Sequence, residues 1–212
     1  MLRTELDHHL AKFNDVPVCI CTSFNPGSGK SYVAINTASA EAKKGKRVLL
    51  VDLDIRRASL SKRINSPAHG ATSYLDGSCT DLDKLIVHDK SAGIDILPSG
   101  TIRPNPAELL EHDSLDEMFE RLRQRYDYIF IDCPPALSQS TYNAMVVASH
   151  LLVPVQMEGL SVNGLAAVLA AMEEVKNGRF ALNKELELLG LLPVMLDERP
   201  RIVRSAMEYL RE

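Results

Sequence analysis

The stretch FNPGSGKS, residues 24–31, separates two segments with different hydrophobic patterns. Before it, PVCICTS (17–23) is rich in apolar and β-branched residues, which is typical of a strand. After it, residues 31–44 have helical spacing and end at Gly45, a common C-terminal cap. The pattern therefore predicts a glycine-rich loop that joins a strand to a helix.

A loop of this composition at a helix N-terminus is suited to binding phosphate groups. Its glycines let backbone N–H groups point inward, and the helix terminus adds partial positive charge. Lys30 would reach the β- and γ-phosphates, and the Ser31 hydroxyl would be a ligand of Mg²⁺. The strict phosphate-loop pattern has glycine where Phe24 stands, so this loop is a variant. The residues expected to contact the nucleotide are Asn25, Pro26, Gly27, Ser28, Gly29, Lys30, Ser31 and Tyr32.

Short apolar runs recur along the rest of the chain and alternate with helical segments. Continuous runs are typical of strands buried on both faces of a sheet. Helices are predicted from a capping box at Ser114 and over residues 160–176. This order predicts an α/β fold, a mostly parallel sheet with helices on both faces, in a single nucleotide-binding domain over residues 1–212. Besides 17–23, the predicted strands are 47–52, 93–100, 126–132, 150–155 and 187–195.

Composition excludes several other classes of protein. Hydrophobic residues make up 45% and charged residues 25% of the chain, which is ordinary for a folded domain. The net charge of −4 argues against a protein built mainly to coat nucleic acid. No apolar run approaches the roughly 20 residues needed to cross a bilayer. Four cysteines without metal-ligand spacing fit a reducing compartment, so we expect a cytoplasmic location.

Acidic residues follow two of the predicted strands. Asp52 and Asp54 come at the end of VLLVDLD, and Asp132 ends IFID. The carboxyl ends of parallel strands border the ligand crevice of an open sheet. Carboxylates beside a bound triphosphate require a cation, and Mg²⁺ is the natural choice. We therefore predict that Ser31, Asp54 and Asp132 hold the metal.

Several further motifs resemble those of the bacterial tyrosine kinases of polysaccharide export, in the class of P-loop NTPases with a deviant Walker A motif. The resemblance covers residues 1–135. It includes TSFNPGSGKS, DLDIRRASLS, NPAELL and YDYIFIDCPP. From about residue 136 to 212, the chain instead resembles the ParA-type partition ATPases of the same class, over LLVPVQMEGLSVNGLAAVLAAMEEVK and LNKELELLGLLPVMLDERPR.

The kinase resemblance implies transfer of the ATP γ-phosphate to a tyrosine. It assigns a catalytic set of Asp52, Lys30 and Arg56, with Asp52 as the base that accepts the hydroxyl proton. It also implies ATP and Mg²⁺ as cofactors, a homo-oligomer, and a membrane-bound activator protein that recruits the chain to the inner face of the membrane. The kinases carry a cluster of tyrosines near the C-terminus, whereas here only Tyr209 lies near the end.

The partition-ATPase resemblance implies a different output. Such a protein is a switch in which nucleotide controls dimerisation and DNA binding. Arg199, Arg201 and Arg204 form a basic group that would contact DNA phosphates. The signature lysine of partition ATPases is replaced by Asn25, which cannot supply its charge. A third alternative is a chain that binds nucleotide without turnover.

Overall fold

The computed structural model describes residues 15–101, 112–135, 137–156 and 161–194. The strands in this part of the chain are β1 (Val18–Cys21), β2 (Val48–Asp52), β3 (Val87–Asp89), β4 (Ile94–Leu97), β5 (Tyr128–Asp132), β6 (His150–Gln156) and β7 (Glu187–Val194). The helices are α1 (Lys30–Ala42), α2 (Ser59–Arg63), α3 (Ala71–Leu75), α4 (Leu82–Leu85), α5 (His112–Arg123), α6 (Gln139–Val147) and α7 (Ser161–Asn177).

The seven strands form one sheet in the order β3-β4-β2-β5-β1-β6-β7. Every neighbouring pair is parallel except β3 and β4, which are antiparallel. The predicted fold class is confirmed, and each predicted run contains a strand. Strand β3 was not predicted, because its three residues, VHD, are too few to show a period.

Helices cover both faces of the sheet because strand side chains alternate between them. Val18 and Ile20 of β1 pack in one buried cluster with residues from helices α3 to α7. Cys19 and Cys21 point the other way, into a cluster that contains Val33, Ala34 and Ala38 of α1. Both cysteines are therefore core residues.

One helix boundary was predicted wrongly. Helix α5 already includes His112, so Ser114 lies inside the helix and does not cap it. The helix predicted here is confirmed, and it packs against the core through Leu115, Met118 and Phe119, which are buried. Residues 105–110 and the basic group at 199–204 lie outside the described residues.

The register of the central strands places the acidic residues together. Asp52 at the end of β2 pairs with Asp132 at the end of β5, and Asp132 also pairs with Cys21 at the end of β1. The loop that follows β1 therefore starts beside both carboxylates. No helix within the described residues has the length and hydrophobicity to span a membrane.

Candidate nucleotide site

The loop between β1 and α1 is shaped by two glycines and one serine. Gly27 and Gly29 have φ angles of 77° and 78°, in the left-handed region that side chains disfavour. The Ser23 hydroxyl donates to the carbonyl of Asn25 at 3.0 Å and is also hydrogen-bonded to the Ser28 hydroxyl. Ser23 precedes the stretch that sequence reasoning singled out, and its role was missed. Its only signal is its place between the strand and the glycines.

Lys30 and Ser31 begin helix α1, directly after the loop. Gly29 caps this helix without a side-chain hydrogen bond, so amide groups of the first turn remain available for an anion. Lys30 is only 7% exposed. Burial lowers the pKa of its ammonium group, whereas the carboxylates of Asp132 and Asp54 act to raise it. The lysine is thus held between acidic residues, at the position expected of a phosphate ligand.

Asp132 has an oxygen that no donor reaches. The residue is 1% exposed, and its Oδ1 has no hydrogen-bond partner among the described residues. Burial raises the pKa of this carboxyl group to about 7, against the opposing effect of a hydrogen bond with Ser31. A buried polar atom without a partner is costly, and a ligand at this position would remove the cost.

Asp52 has the opposite environment, because the protein itself occupies both of its oxygens. Its Oδ2 accepts hydrogen bonds from the backbone N–H of Ser61 at 2.9 Å and from the Ser61 hydroxyl at 2.6 Å. Its Oδ1 accepts from the N–H of Asp54 at 3.1 Å. Burial raises the pKa of Asp52 to about 6, and the bonds from Ser61 limit that rise.

Ser61 continues this network to the end of β4. Its Oγ accepts from the N–H of Ser99 at 2.9 Å and lies 3.1 Å from the Ser99 Oγ. Ser61 and Ser99 are buried with Asp52. Sequence reasoning missed both serines, because their link to Asp52 arises only when three segments meet.

Asp54 and the two arginines after it form the rim of the site. Asp54 is buried, and its Oδ1 accepts from the N–H of Arg57 at 3.1 Å. Both Arg56 and Arg57 are exposed. They line a cavity of about 300 Å³ together with Asp54 and the segment after β5 that contains Pro134 and Pro135. Arg56 therefore lies at the rim, in the lining of this cavity.

The residues predicted to hold Mg²⁺ fit that ion. Ser31 and Asp132 are hydrogen-bonded to each other, and the unpartnered Asp132 Oδ1 offers a further oxygen. The described residues include no group of three or more His, Cys, Asp or Glu side chains suited to a metal. Mg²⁺ does not need such a group, because it binds through one or two carboxylates, waters and substrate phosphates.

Tyr32 lies apart from the carboxylates, on the side of α1 that faces β7. Its side chain is 74% exposed. It lines a mainly apolar cleft of about 530 Å³, whose opposite wall includes Pro193 and Val194. Asn36 donates to the Tyr32 carbonyl at 2.7 Å from the next turn of the helix. The structure therefore places Tyr32 beside a cleft that adjoins the loop at Gly29.

Comparison with known proteins gives the family. A family model described as an AAA domain matches residues 18–188. The chain belongs to this AAA-domain family. As a member, it has the P-loop NTPase fold that the loop and the parallel sheet predict.

Relatives of this AAA-domain chain include members of both classes that its motifs resemble. The chromosome-partitioning ATPase Soj of Thermus thermophilus is 36% identical over 191 residues, which cover 87% of this chain and 72% of Soj. The tyrosine-protein kinase etk of Escherichia coli K12 is 34% identical over 140 residues, which cover 66% of this chain and 19% of the kinase. Both resemblances are confirmed.

One solved structure with a similar fold contains a bound ATP analogue and magnesium. The cobyrinic acid a,c-diamide synthase of Mycobacterium smegmatis, with a bound ATP analogue and magnesium, has a TM-score of 0.82 and is 25% identical. The match covers 92% of this chain and 79% of that structure. That protein therefore holds an ATP analogue with magnesium in a fold similar to the fold of this chain.

Proposed function

We propose that this protein binds ATP with Mg²⁺ and transfers the γ-phosphoryl group to a protein tyrosine. One observation carries the nucleotide part of the proposal: Lys30, Ser31 and the unpartnered oxygen of Asp132 converge behind a loop with two left-handed glycines. Such an arrangement provides cations and N–H donors for phosphates, and oxygens for a metal.

The loop and Lys30 would hold the phosphates in this proposal. Amide groups of residues 27–31 surround the phosphate oxygens, and the Lys30 ammonium group offsets their charge. Ser31, Asp54 and Asp132 would hold Mg²⁺, which when bound neutralises charge on the phosphates. Burial of Lys30 and Asp132 strengthens these interactions, because little water screens them.

The apolar cleft beside Tyr32 would take the base of the nucleotide. It starts at Gly29, next to the phosphate loop, and its walls of Tyr32 and Pro193 suit a flat ring. Tyr32 is thus proposed to contact the base, and its substitution with alanine should weaken binding of ATP more than binding of triphosphate.

Asp52 is the proposed base, and the acceptor hydroxyl must be able to reach its buried carboxylate. A general base must come within hydrogen-bond reach of the hydroxyl that it deprotonates. Three donors already occupy Asp52, and its pKa of about 6 is suitable for a base near neutral pH. An ionised carboxylate accepts about four hydrogen bonds, so an acceptor hydroxyl would either take the remaining acceptor position of Asp52 or replace the Ser61 hydroxyl on Oδ2.

A nucleotide-controlled switch of the partition type is the second candidate. It is supported by the similarity to Soj, which extends over 87% of this chain, whereas the similarity to etk covers 66%. One residue argues against this candidate, because the chain has Asn25 where partition ATPases carry the lysine that reaches across the dimer. In this candidate the chain would dimerise with ATP, bind DNA and hydrolyse ATP slowly.

One assay separates these candidates. The protein is incubated with γ-labelled ATP, Mg²⁺ and a tyrosine-containing polymer, with and without DNA, and phosphotyrosine and free phosphate are measured. Phosphotyrosine that is absent from Lys30→Ala supports the kinase. Hydrolysis that DNA stimulates, without phosphotyrosine, supports the switch. Nucleotide binding without either product indicates a chain that has no turnover.

A further inference from the structure

The cavity beside Asp54 combines positive charge with apolar walls. We call it the rim groove and define it by Ile55, Arg56, Arg57, Pro134, Pro135 and Gln139. It lies between the segment that follows β2 and the segment that leads from β5 into α6. Because β2 and β5 are neighbours in the sheet, the groove opens at the same edge as the nucleotide site.

The two arginines of the rim groove have no carboxylate partner there. Within the described residues, neither Arg56 nor Arg57 takes part in an ion pair. Arg57 lies close enough to Lys30 for the two charges to repel, which lowers the pKa of Lys30 further. Asp54 in the lining offsets one of these charges, and the two exposed arginines, without an ion-pair partner in the described part of the chain, leave the groove with a net positive charge that favours an anionic ligand.

Helix α6 adds donors to the same side of the groove. Its N-cap, Ser138, makes no side-chain cap bond. The N–H groups of Thr141 and Tyr142 bond to the Ser138 carbonyl, but those of Gln139 and Ser140, which precede them, have no such bond in the helix. The first turn of α6 therefore offers N–H donors beside the arginines.

The size and walls of the groove favour a peptide as the occupant. About 300 Å³ accommodates a few side chains. A nucleic acid requires a broad basic surface that follows its backbone, whereas here the charge is confined to a concave site. Pro134 and Pro135 give the groove an apolar wall, which would contact an aromatic or aliphatic side chain. A peptide with carboxylates next to a tyrosine matches both the charge and the wall.

We propose that the rim groove is the acceptor site and selects a peptide segment whose acidic side chains flank the phosphate-accepting tyrosine. This inference rests on the proposed kinase function, because it names the substrate class of that site. The carboxylates bind Arg56 and the first turn of α6, and the tyrosine lies along Pro134 and Pro135 with its hydroxyl directed past Asp54 towards Asp52 and the nucleotide.

Binding is tested separately from transfer. The full chain is loaded with a non-hydrolysable ATP analogue and Mg²⁺, and fluorescein-labelled Gly-Glu-Glu-Tyr-Glu-Glu-Gly is titrated by anisotropy against its glutamine counterpart. We expect the acidic peptide to bind roughly tenfold more tightly, with a preference that falls at high salt. Equal affinity for the two peptides would overturn the proposal.

Two variants and one control assign the preference to the groove. Arg56→Gln removes a cation, and Gln139→Glu adds a carboxylate at a helix position where glutamate is favourable, so the fold is preserved. Each should reduce the preference for the acidic peptide to about twofold or less. Arg179→Gln, which follows the C-terminal end of α7 and is not part of the groove lining, should leave it unchanged. An equal loss in all three, or a loss in Arg179→Gln alone, shows that the groove is not the site.

Three further outcomes distinguish the groove proposal from the proposed kinase function. If a single-stranded oligonucleotide displaces the peptide and Arg56→Gln weakens the oligonucleotide, the groove binds nucleic acid and the proposal is wrong. If the acidic peptide binds at Arg56 but is never phosphorylated with ATP, the groove is supported as a peptide site and the kinase function fails. If both peptides are phosphorylated with equal KM, the kinase function stands and the acidic selection fails.

Discussion

The ends of β2 and β5 carry two aspartates that are similar in position and different in surroundings. Asp52 and Asp132 are paired in register, both are almost fully buried, and burial raises the pKa of both. Three protein donors bind the oxygens of Asp52, whereas Asp132 Oδ1 has no partner among the described residues. The protein completes one carboxylate and leaves the other for a ligand.

This difference follows from what comes after each strand. After β2, the chain turns back and brings Ser61 of α2 onto Asp52. After β5, Pro134 and Pro135 have no N–H group to offer to Asp132. The β2 end is therefore a rigid support, and the β5 end is an open position beside Lys30.

Removing Lys30, which lies beside the open position at the β5 end, should have the largest effect on nucleotide binding. Lys30→Ala leaves Asp132 and Asp54 without their buried cation, and it removes the charge that would meet the phosphates. We expect ATP affinity to fall by about 100-fold or more, as the loss of a buried charge-assisted contact implies. Isothermal titration with ATP and Mg²⁺ measures this. Lys43→Ala, at the exposed C-terminal end of α1, is the matched control. ATP affinity unchanged in Lys30→Ala would show that the loop is not the phosphate site.

Stability as a function of pH should separate the two carboxyl groups. Both have folded-state pKa values above their unfolded value of 3.8, so each contributes stability below pH 4 that is lost as pH rises to about 6 for Asp52 and 7 for Asp132. The apoprotein should therefore be less stable at pH 7.5 than at pH 5, by about 1 kcal/mol through Asp52 and about 2–3 kcal/mol through Asp132. Urea unfolding in EDTA without nucleotide measures the free energy of unfolding.

Neutralising each aspartate should then give opposite results at pH 7.5. Asp132→Asn removes a buried charge that lacks a partner on one oxygen, so it should stabilise the apoprotein and remove most of the effect of Mg²⁺ on ATP binding. Asp52→Asn replaces an acceptor with an amide donor facing the N–H of Asp54 or Ser61, which costs about 1–3 kcal/mol and offsets the gain. If Asp52→Asn stabilises the protein as much as Asp132→Asn does, the two ends are equivalent and our comparison is wrong.

The contrast between the two ends also shows how far the sequence could predict the site. Continuous apolar runs and the loop at 24–31 were sufficient for the sheet, the helices on both faces and the position of Lys30, because these depend on local pattern and strand order. The partners of Asp52 depend on contacts between distant segments, since Ser99 is 38 residues from Ser61. The short strand β3 was missed for a related reason, because its pairing with β4 decides it.

Ser61→Ala should have a smaller effect on the site than removal of the Asp52 carboxylate, because it takes away only the hydrogen bond from the Ser61 hydroxyl. The hydroxyl bond from Ser61 lowers the pKa of Asp52, so its loss should raise that pKa further. If Asp52 is the base, the acidic limb of the kcat/KM profile moves to higher pH, while ATP affinity stays nearly constant. Ser61→Thr keeps the hydroxyl and should restore the profile. An unshifted limb in Ser61→Ala would mean that Asp52 does not titrate in the rate-limiting step and has a structural role.

The smallest expected effect is on the free energy of unfolding. It comes from backbone strain at Ala58, in the turn that brings Ser61 to Asp52 at the end of β2. Ala58, the N-cap of α2, has φ 47° and ψ 43°, a left-handed conformation that costs a residue with a side chain roughly 1–2 kcal/mol. Its N–H bonds to the Asp54 carbonyl at 2.7 Å and its carbonyl accepts from Lys62 at 2.9 Å, so both bonds survive in Ala58→Gly. Glycine removes the strain but has more freedom to lose on folding, so we expect a net gain of about 0.5–1 kcal/mol in the free energy of unfolding. Ala170→Gly, on an exposed turn of α7, should lose about 1 kcal/mol and is the control of opposite sign. A loss of stability in Ala58→Gly would show that the turn carrying Ser61 to Asp52 is not strained. The hydrogen bonds to Asp52 would then have no strain at Ala58 to offset.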